Sequence, residues 1–290
     1  MKILITGKNG QVGYELERSF QGLGKIWATD RAELDLSNFD NIRSVVSEFK
    51  PDLIINAAAY TAVDKAESEP ELAMRINAEA PGILAEEARK VGAALVHYST
   101  DYVFDGRKSG AYTENDPTNP LNVYGRSKLE GERAIVSAEI PYLILRTSWV
   151  YGTRGKNFLL TISRLAQNRE PLRIVSDQYG APTWCRTIAD VTSHIVAKGG
   201  NAKALKEDLQ EHSGIYHLTS QGSTSWYGFA CSIVQHLNIE KKPEIHPIAA
   251  SDYPVPAIRP MNSRLSCDRL IDTFCGLPDW EAGLRLALEK

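Results

Sequence analysis

Tyr124 and Lys128 stand four residues apart, a spacing that sets both side chains on one face of a helix. A phenol ionises near pH 10, so it is a slow acid or base at neutrality. An ammonium beside it favours the phenolate and brings it toward the useful range. Such a tyrosine can protonate a carbonyl oxygen while hydride reaches the carbon. Tyrosine–lysine pairs at this spacing are also common as packed phenols beside solvated amines, so position has to decide. About 25 residues upstream an apolar run closes on Ser99-Thr100-Asp101. That places the Thr100 hydroxyl at the carboxyl end of a strand, where open α/β sheets bind ligands and where it can orient a carbonyl.

A second constellation opens the chain. Thr6-Gly7-Lys8-Asn9-Gly10-Gln11-Val12-Gly13 follows the first apolar run and leads into a helix expected over 14–20. Glycines there let the backbone turn tightly and approach a pyrophosphate, and the helix N-terminus offers free N–H groups to its charge. The spacing is GxxGxxG and not the common GxGxxG, so a glycine-rich turn without a ligand is the competing reading. The location at the first strand–helix junction favours a dinucleotide. Asp30 and Arg31 end the second strand. An acid there accepts ribose hydroxyls and favours NAD, while an arginine holds a 2′-phosphate and favours NADP. Both are present, so both nicotinamide cofactors stay open. Asp35 and Leu36 follow and are placed to cover the adenine.

The elements needed to position these groups are legible as alternating strands and helices. Near-continuous apolar runs at 2–6, 25–29, 52–56, 94–99 and 142–147 read as strands buried on both faces. Stretches at 41–49 and 80–91 repeat apolar residues at three and four, as helices do. The expectation is an α/β fold with a parallel sheet covered by helices. From residue 151 prolines and glycines are more frequent, with helices expected at 158–167 and 188–197. The reading is a nucleotide-binding domain over 1–150 and a smaller substrate domain over 151–290. A return to the first domain is expected from about 186–219, including a strand at 216–219.

Composition excludes several classes. An apolar share of 43% and a charged share of 24% are those of a soluble globular chain. A net charge of -3 offers no basic surface for nucleic acid. No apolar run approaches the roughly 20 residues that span a bilayer, and the start lacks an export signal. Four cysteines without a CxxC pair read as reduced thiols, and six histidines show no zinc spacing. A cytoplasmic protein without nucleic-acid or membrane partners is expected.

Several longer motifs occur in order: TGxxGQVG; the segment from Asn56 to Glu67; His97-Tyr98-Ser99-Thr100-Asp101-Tyr102-Val103-Phe104-Asp105-Gly106; Asn122-Val123-Tyr124-Gly125 with Lys128; and Arg146-Thr147-Ser148-Trp149-Val150-Tyr151. Asp177-Gln178-Tyr179-Gly180-Ala181-Pro182-Thr183 and Arg259-Pro260-Met261-Asn262-Ser263-Arg264-Leu265 complete the set. Together they resemble the dTDP-4-dehydrorhamnose reductases, a family of extended short-chain dehydrogenase/reductases, from residue 1 to about 265. The resemblance implies a Rossmann-type doubly wound parallel sheet with a smaller C-terminal α/β substrate domain. It implies reduction of the C4 ketone of dTDP-4-dehydro-6-deoxy-L-mannose with NADPH or NADH, the last step of dTDP-L-rhamnose synthesis. By position, Thr100, Tyr124 and Lys128 would be catalytic, with Lys128 also bonding the nicotinamide ribose. Gly7, Gly10, Gln11, Val12 and Gly13 would hold the pyrophosphate, Asp30, Arg31, Asp35 and Leu36 the adenosine, and Ala58, Ala59 and Thr61 the nicotinamide side. Val63, Asp101 and Trp149, with Thr100 and Tyr124, would line the sugar pocket, and Arg259 would grip the diphosphate.

Some members of that family bind magnesium at a dimer contact through acidic side chains. Glu15 could supply one of them here, but Arg186 stands just past GAPT and would repel a cation. The expectation is therefore no metal, and a monomer or weak homodimer. Two rivals remain. A nucleotide-sugar epimerase or dehydratase shares the fold, but dehydratases follow the threonine with Asp-Glu, and here Tyr102 occupies the glutamate's place. A non-catalytic NADP-binding subunit, like the β subunit of methionine adenosyltransferase, has no need of Thr100, Tyr124, Lys128 and Trp149 together.

Overall fold

The apolar runs assemble as strands covered on both faces. A computed structural model describes residues 1–168 and 170–289. In it six parallel strands form one sheet: β1 (Lys2–Thr6), β2 (Lys25–Thr29), β3 (Leu53–Asn56), β4 (Ala94–Thr100), β5 (Tyr142–Thr147) and β6 (Gly214–His217). Their order is β6-β5-β4-β3-β1-β2. The chain winds outward from β1 to β2, then crosses back over β1 to β3. The order therefore reverses beside β1, leaving a crevice beyond the carboxyl ends of β1, β3 and β4.

Alternation along the strands supplies two cores. Ile3, Ile5, Leu53, Ile55, Val96 and Leu145 pack on α1 (Gln11–Ser19) and α6 (Cys185–Lys198) through Leu16, Ile188 and Ile195. Leu4, Ile54, Leu95 and Ile144 face the other way, toward α2 (Phe39–Phe49), α3 (Ala80–Val91) and α4 (Val123–Val136) through Ile42, Val46, Leu84, Ala88 and Ile135. A third core joins α5 (Phe158–Gln167), α8 (Trp226–His236) and α9 (Trp280–Leu288) around Tyr151, Leu159, Ile162, Phe229, Ile233 and Leu284. Helix α7 (Ala202–Glu211) buries Leu205 and Leu209 against the first core.

Some boundaries differ from the sequence expectation. The last strand covers 214–217 and not 216–219. Leu218 still donates to Arg146 O, but Thr219 and Ser220 then turn away, and Ser220 N bonds Thr183 Oγ1. Helix α1 starts at Gln11 and not at 14, and so takes in Gly13, a poor helix former whose missing side chain lets the helix lie against Gly7. Helices α7, α8 and α9 were hidden by the punctuated second half, although Trp226, Phe229, Ala230, Ile233 and Val234 repeat at helical spacing. Ahead of α3, the turn Arg75–Glu79 is π-helical. It carries buried Asn77, which accepts from Tyr60 N, donates to Tyr60 O and donates to Ser127 Oγ at 3.0 Å, so it braces α4.

Helix α4 is fixed to the sheet by a buried ion pair. Arg146 of β5 donates twice to Glu132 of α4, at 2.9 and 2.6 Å, and Ser99 of β4 donates to the same carboxylate. Both charged side chains are almost sealed from water, at 3% and 2% exposed. Breaking one partner of such a pair strands the other charge, which costs about 3–5 kcal/mol, whereas replacing both by apolar groups is often neutral. Glu132→Ala should therefore lower unfolding stability by about 3–5 kcal/mol in urea titration, and Glu132→Leu/Arg146→Met should recover most of it. Equal losses for the single and double variants would show that the pair is not the fastening.

Candidate active site

The glycine loop is shaped by contacts that no side chain would permit. Gly7 has φ +77°, in the left-handed region, and a Cβ there would lie 3.0 Å from the Ala58 backbone. A Cβ on Gly13 would lie 2.1 Å from Gly7 O, so the first turn of α1 rests directly on the loop. Gly10 caps α1 without a side-chain acceptor, and the first turn holds no acid. Its N–H groups and the positive end of the helix dipole are thus left for an anion. The residues fit the pyrophosphate of a nicotinamide dinucleotide.

At the adenosine end, Asp30 Oδ1 accepts from Ala32 N and Glu33 N, and Asn9 donates to Oδ2 at 3.4 Å. Lys8 pairs with Glu33. Arg31 is 77% exposed and lies 3.5 Å from Asp35, whose carboxylate also accepts from Ser37. Leu36 is buried. A ribose acceptor and movable cations stand together, so this pocket can meet either a hydroxyl or a phosphate. Gln11 Oε1 accepts from Asn157 Nδ2, and Asn157 also caps α5 through Leu160 N, tying the loop to the second half. Ala58 N donates to Thr6 Oγ1, holding the β3 end against the loop; Ala59 follows it in the same bend, and Thr61 is exposed.

Thr100, Tyr124 and Lys128 converge at the carboxyl end of β4. A Cβ on Gly125 would lie 2.2 Å from Tyr102 O, so only glycine allows α4 to start against the turn after β4. Asn122 caps α4 by accepting from Gly125 N. Lys128 Nζ crosses to β4 and donates to Tyr98 O at 2.6 Å, with His97 Nε2 at 3.1 Å. Burial brings its ammonium down to about 8, with Glu132 opposing. Thr100 Oγ1 donates to Asp101 Oδ1 at 3.1 Å. The Tyr124 ring keeps some contact with solvent, while burial of its phenol and the Asp101 charge push its ionisation up and Thr100 acts the other way. This corrects the expectation that Lys128 lowers the phenol. Lys128 Nζ is engaged by Tyr98 O and His97 Nε2, and the acid next to the phenol is Asp101.

Asp101 sits among the hydroxyls of Ser263, Thr100 and Ser148, and burial pushes its carboxyl up to about 6. Its Oδ2 is buried without a partner. The hydroxyls of Ser148 and Thr147 are likewise unpartnered and buried. Trp149 follows with φ +49°, an uncommon conformation for a bulky residue. It is held by stacking on Trp226, centroids 3.5 Å apart and planes 9° from parallel, and by Gly180, whose Cβ would lie 2.6 Å from the indole. Val63 begins the short helix Val63–Ala66. Arg259, expected to grip the diphosphate, is engaged in an ion pair. It donates to Asp64 Oδ2 at 2.7 Å and to Ala257 O, because the carboxylate lies within reach and locks the 257–264 segment to that helix. Glu15 shares no group of three metal-ligating side chains among the described residues, and Arg186 lies 3.7 Å from Asp190.

Sequence reasoning passed over Ser263, Trp226, Asn56 and His97 as site-forming residues. Their partners are distant in sequence, and only the presence of polar residues in otherwise apolar runs, as at Asn56 and His97, gave a signal.

The model of the RmlD substrate binding domain matches residues 1–290, the whole chain. The chain belongs to the dTDP-4-dehydrorhamnose reductase family. A dTDP-4-dehydrorhamnose reductase of Burkholderia thailandensis is 49% identical, the match covering 99% of this chain and 98% of that one. A crystal structure of a dTDP-4-dehydrorhamnose reductase from Clostridium acetobutylicum superposes with a TM-score of 0.91 at 37% identity, covering 99% of this chain and 98% of that one. The enzyme of that name from Bacillus anthracis, solved in complex with NADP, gives 0.89 at 36% identity, again over 99% and 98%. The chain is thus an oxidoreductase of the nucleotide-sugar type with a Rossmann-like sheet.

Gly180→Ala would drive a methyl into the Trp149 indole and unstack it from Trp226. Near-ultraviolet circular dichroism of the native chain should show the bands of rigidly held indoles, and the variant should lose much of that signal while thermal unfolding stays cooperative. An unchanged near-ultraviolet band would contradict the packing described.

Proposed function

We propose that the chain reduces the C4 ketone of dTDP-4-dehydro-6-deoxy-L-mannose to dTDP-L-rhamnose, with hydride from NADPH or NADH. The observation that carries the proposal is the meeting of Thr100, Tyr124 and Lys128 at the end of β4, beside a glycine loop fitted to a pyrophosphate. When bound, the nicotinamide supplies the hydride. Tyr124, kept protonated, donates its proton to the C4 oxygen, and Thr100 orients that oxygen by a hydrogen bond. Lys128 holds the nicotinamide ribose. Asp101, with its open Oδ2, meets a sugar hydroxyl, and the strained Trp149 indole forms the pocket wall with Val63. On substrate arrival Arg259 is positioned to exchange Asp64 for a phosphate.

The same arrangement argues against elimination of water. Tyr102 lies edge-on to Tyr124 at 5.6 Å, and among the described residues the groups acting on Asp101 are hydroxyls and its own backbone, with no second carboxylate to serve as the dehydratase acid. The relative bound to NADP supports a nicotinamide cofactor, and the mixed charge around Asp30 and Arg31 supports use of both forms. We place the cofactor domain at 1–150, joined by the 186–219 return, and the substrate domain at the remainder of 151–290. Pairing of β6 with β5 and the separate core around Tyr151 support this division. Four free cysteines support a reducing, cytoplasmic compartment. No helix among the described residues is long and apolar enough to cross a membrane. A monomer or weak homodimer without metal completes the proposal.

Oxidation of NADPH or NADH, followed at its absorbance band with dTDP-4-dehydrorhamnose generated in situ, tests the activity. Tyr124→Phe should lower turnover by about 10²–10⁴-fold with little change in cofactor affinity, as removal of a general acid does. Wild-type-like turnover would remove Tyr124 as the proton donor. The lysine gives a pH test. Its folded pKa of about 8 lies below the ordinary value, so the charge is complete below about pH 7 and is lost as pH rises through 8. NADPH affinity should weaken across that range, and Lys128→Met should bind weakly at every pH. A flat native profile up to pH 10 would remove the charged lysine from cofactor binding.

A further inference from the structure

His97 and Asn56 are buried polar residues that the steps above leave unused, and they join Lys128 to the foot of the cofactor loop. Lys128 Nζ lies 3.1 Å from His97 Nε2, and His97 Nδ1 lies 3.0 Å from Asn56 Nδ2. Asn56 Oδ1 accepts from Thr6 Oγ1 at 2.7 Å, and Thr6 Oγ1 accepts from Ala58 N at 3.0 Å. Thr6, Asn56 and His97 are each 1% exposed and Lys128 is 2% exposed. Water is therefore not at hand to satisfy a misdirected proton, and the four side chains have to satisfy one another.

The charge of Lys128 decides which donors and acceptors can meet along this chain. Burial and the neighbouring Lys128 hold His97 well below the usual imidazole range, so the ring is neutral, with one donor and one acceptor nitrogen. If Lys128 is an ammonium, it has only protons to offer. Then Nε2 must accept, Nδ1 must carry the ring proton, and Asn56 must turn its oxygen to the ring. If Lys128 is a free amine, it can accept. Nε2 can then carry the proton, with Nδ1 accepting from the Asn56 amide nitrogen and the amide oxygen taking the Thr6 hydroxyl proton. The amide orientation found is the second. The Thr6 hydroxyl, with a rotatable proton and two lone pairs, can serve either. An Nε2–H facing the ammonium would set donor against donor in a dry site, so the amide orientation found goes with the free amine.

We propose that His97 is a positioning residue for Lys128, its tautomer and the Asn56 amide turning over together with the charge of the lysine. The charged and titratable groups around the pair are few. Glu132 and Tyr124 stand one turn to either side of Lys128 on α4, and Glu132 favours its ammonium. Among the described residues, the lysine meets His97 and the Tyr98 carbonyl on β4, and the charge acting on His97 is that of Lys128. Because burial brings Lys128 to about 8, the turnover falls near neutrality instead of near the ordinary lysine value of about 10.4. The chain thus carries a means of keeping the lysine aimed at one place in both charge states. The consequence for cofactor binding rests on the reductase reading; the linkage itself does not.

Two measurements test this. In the ligand-free native chain labelled with ¹⁵N-histidine, the His97 ring nitrogens, assigned by their loss in His97→Gln, should show the Nδ1–H pattern below about pH 7 and the Nε2–H pattern above about pH 9. Lys128→Met should hold one tautomer at all pH values. A single tautomer throughout in the native chain, or a switch that survives Lys128→Met, would overturn the proposal. The second measurement is NADPH affinity against pH by fluorescence. Asn56→Asp fixes the proton on Nδ1 and should move the alkaline limb up by about one unit, while His97→Leu, which removes an acceptor from the ammonium, should move it down. A limb that stays in place in both variants would overturn the role of His97. Absence of NADPH binding by the native chain would overturn the reductase reading, while the tautomer result would still decide the linkage.

Discussion

A buried lysine bonded to a main-chain carbonyl is the constraint on which the site depends. Lys128 reaches Tyr98 O at 2.6 Å from the far side of a helix–strand interface. Burying an ammonium costs several kcal/mol unless its protons are placed, so α4 can pack here only in the position that satisfies it. One turn further on, Glu132 receives Arg146 and Ser99, and Ser127 receives Asn77 from the π-helical turn. These fastenings set the height of Tyr124 over the end of β4, beside Thr100. The reactive phenol is therefore positioned by groups that do not touch the reacting atoms.

The opposite wall is held by strain offset by stacking. Trp149 takes a left-handed backbone conformation that costs on the order of 1–2 kcal/mol, and its contact with Trp226 over Gly180 holds it there. The two walls belong to different cores, one on the sheet and one around Tyr151. They are coupled at the loop, where Asn157 caps α5 while bonding Gln11. A pyrophosphate seated on the first turn of α1 would thus touch a helix end that also anchors the substrate side.

Much of this was legible in the sequence. The runs at 2–6, 25–29 and 142–147 are strands with those bounds; 3–6 and 143–147 are buried throughout, and the edge strand at 25–29 is buried at Ala28 and Thr29. The glycine loop was legible since only glycine tolerates the contacts at Gly7 and Gly13. Thr100, Tyr124 and Lys128 could be picked out by type and spacing, but not the bonds they make. The lysine's partner is a carbonyl, to which sequence gives no clue, and the phenol's neighbour is Asp101. Arg259 carried the chemistry of a phosphate ligand, yet its ion pair with Asp64 spans distant parts of the chain. Trp226 escaped notice for the same reason, since stacking on Trp149 is a fact of packing and not of pattern. Pairings between distant segments are set by the whole fold, and local spacing carries little of that information.

Family membership, the loop and the convergent triad all point to hydride addition at one carbon. The most direct test follows the hydrogen. The native chain should be given dTDP-4-dehydrorhamnose with NADPH carrying deuterium at both C4 positions of the nicotinamide, and the sugar product examined by proton NMR and mass spectrometry. The account requires dTDP-L-rhamnose with one deuterium at sugar C4. A product unlabelled at C4, or labelled at another carbon, would contradict direct reduction of the ketone at this site.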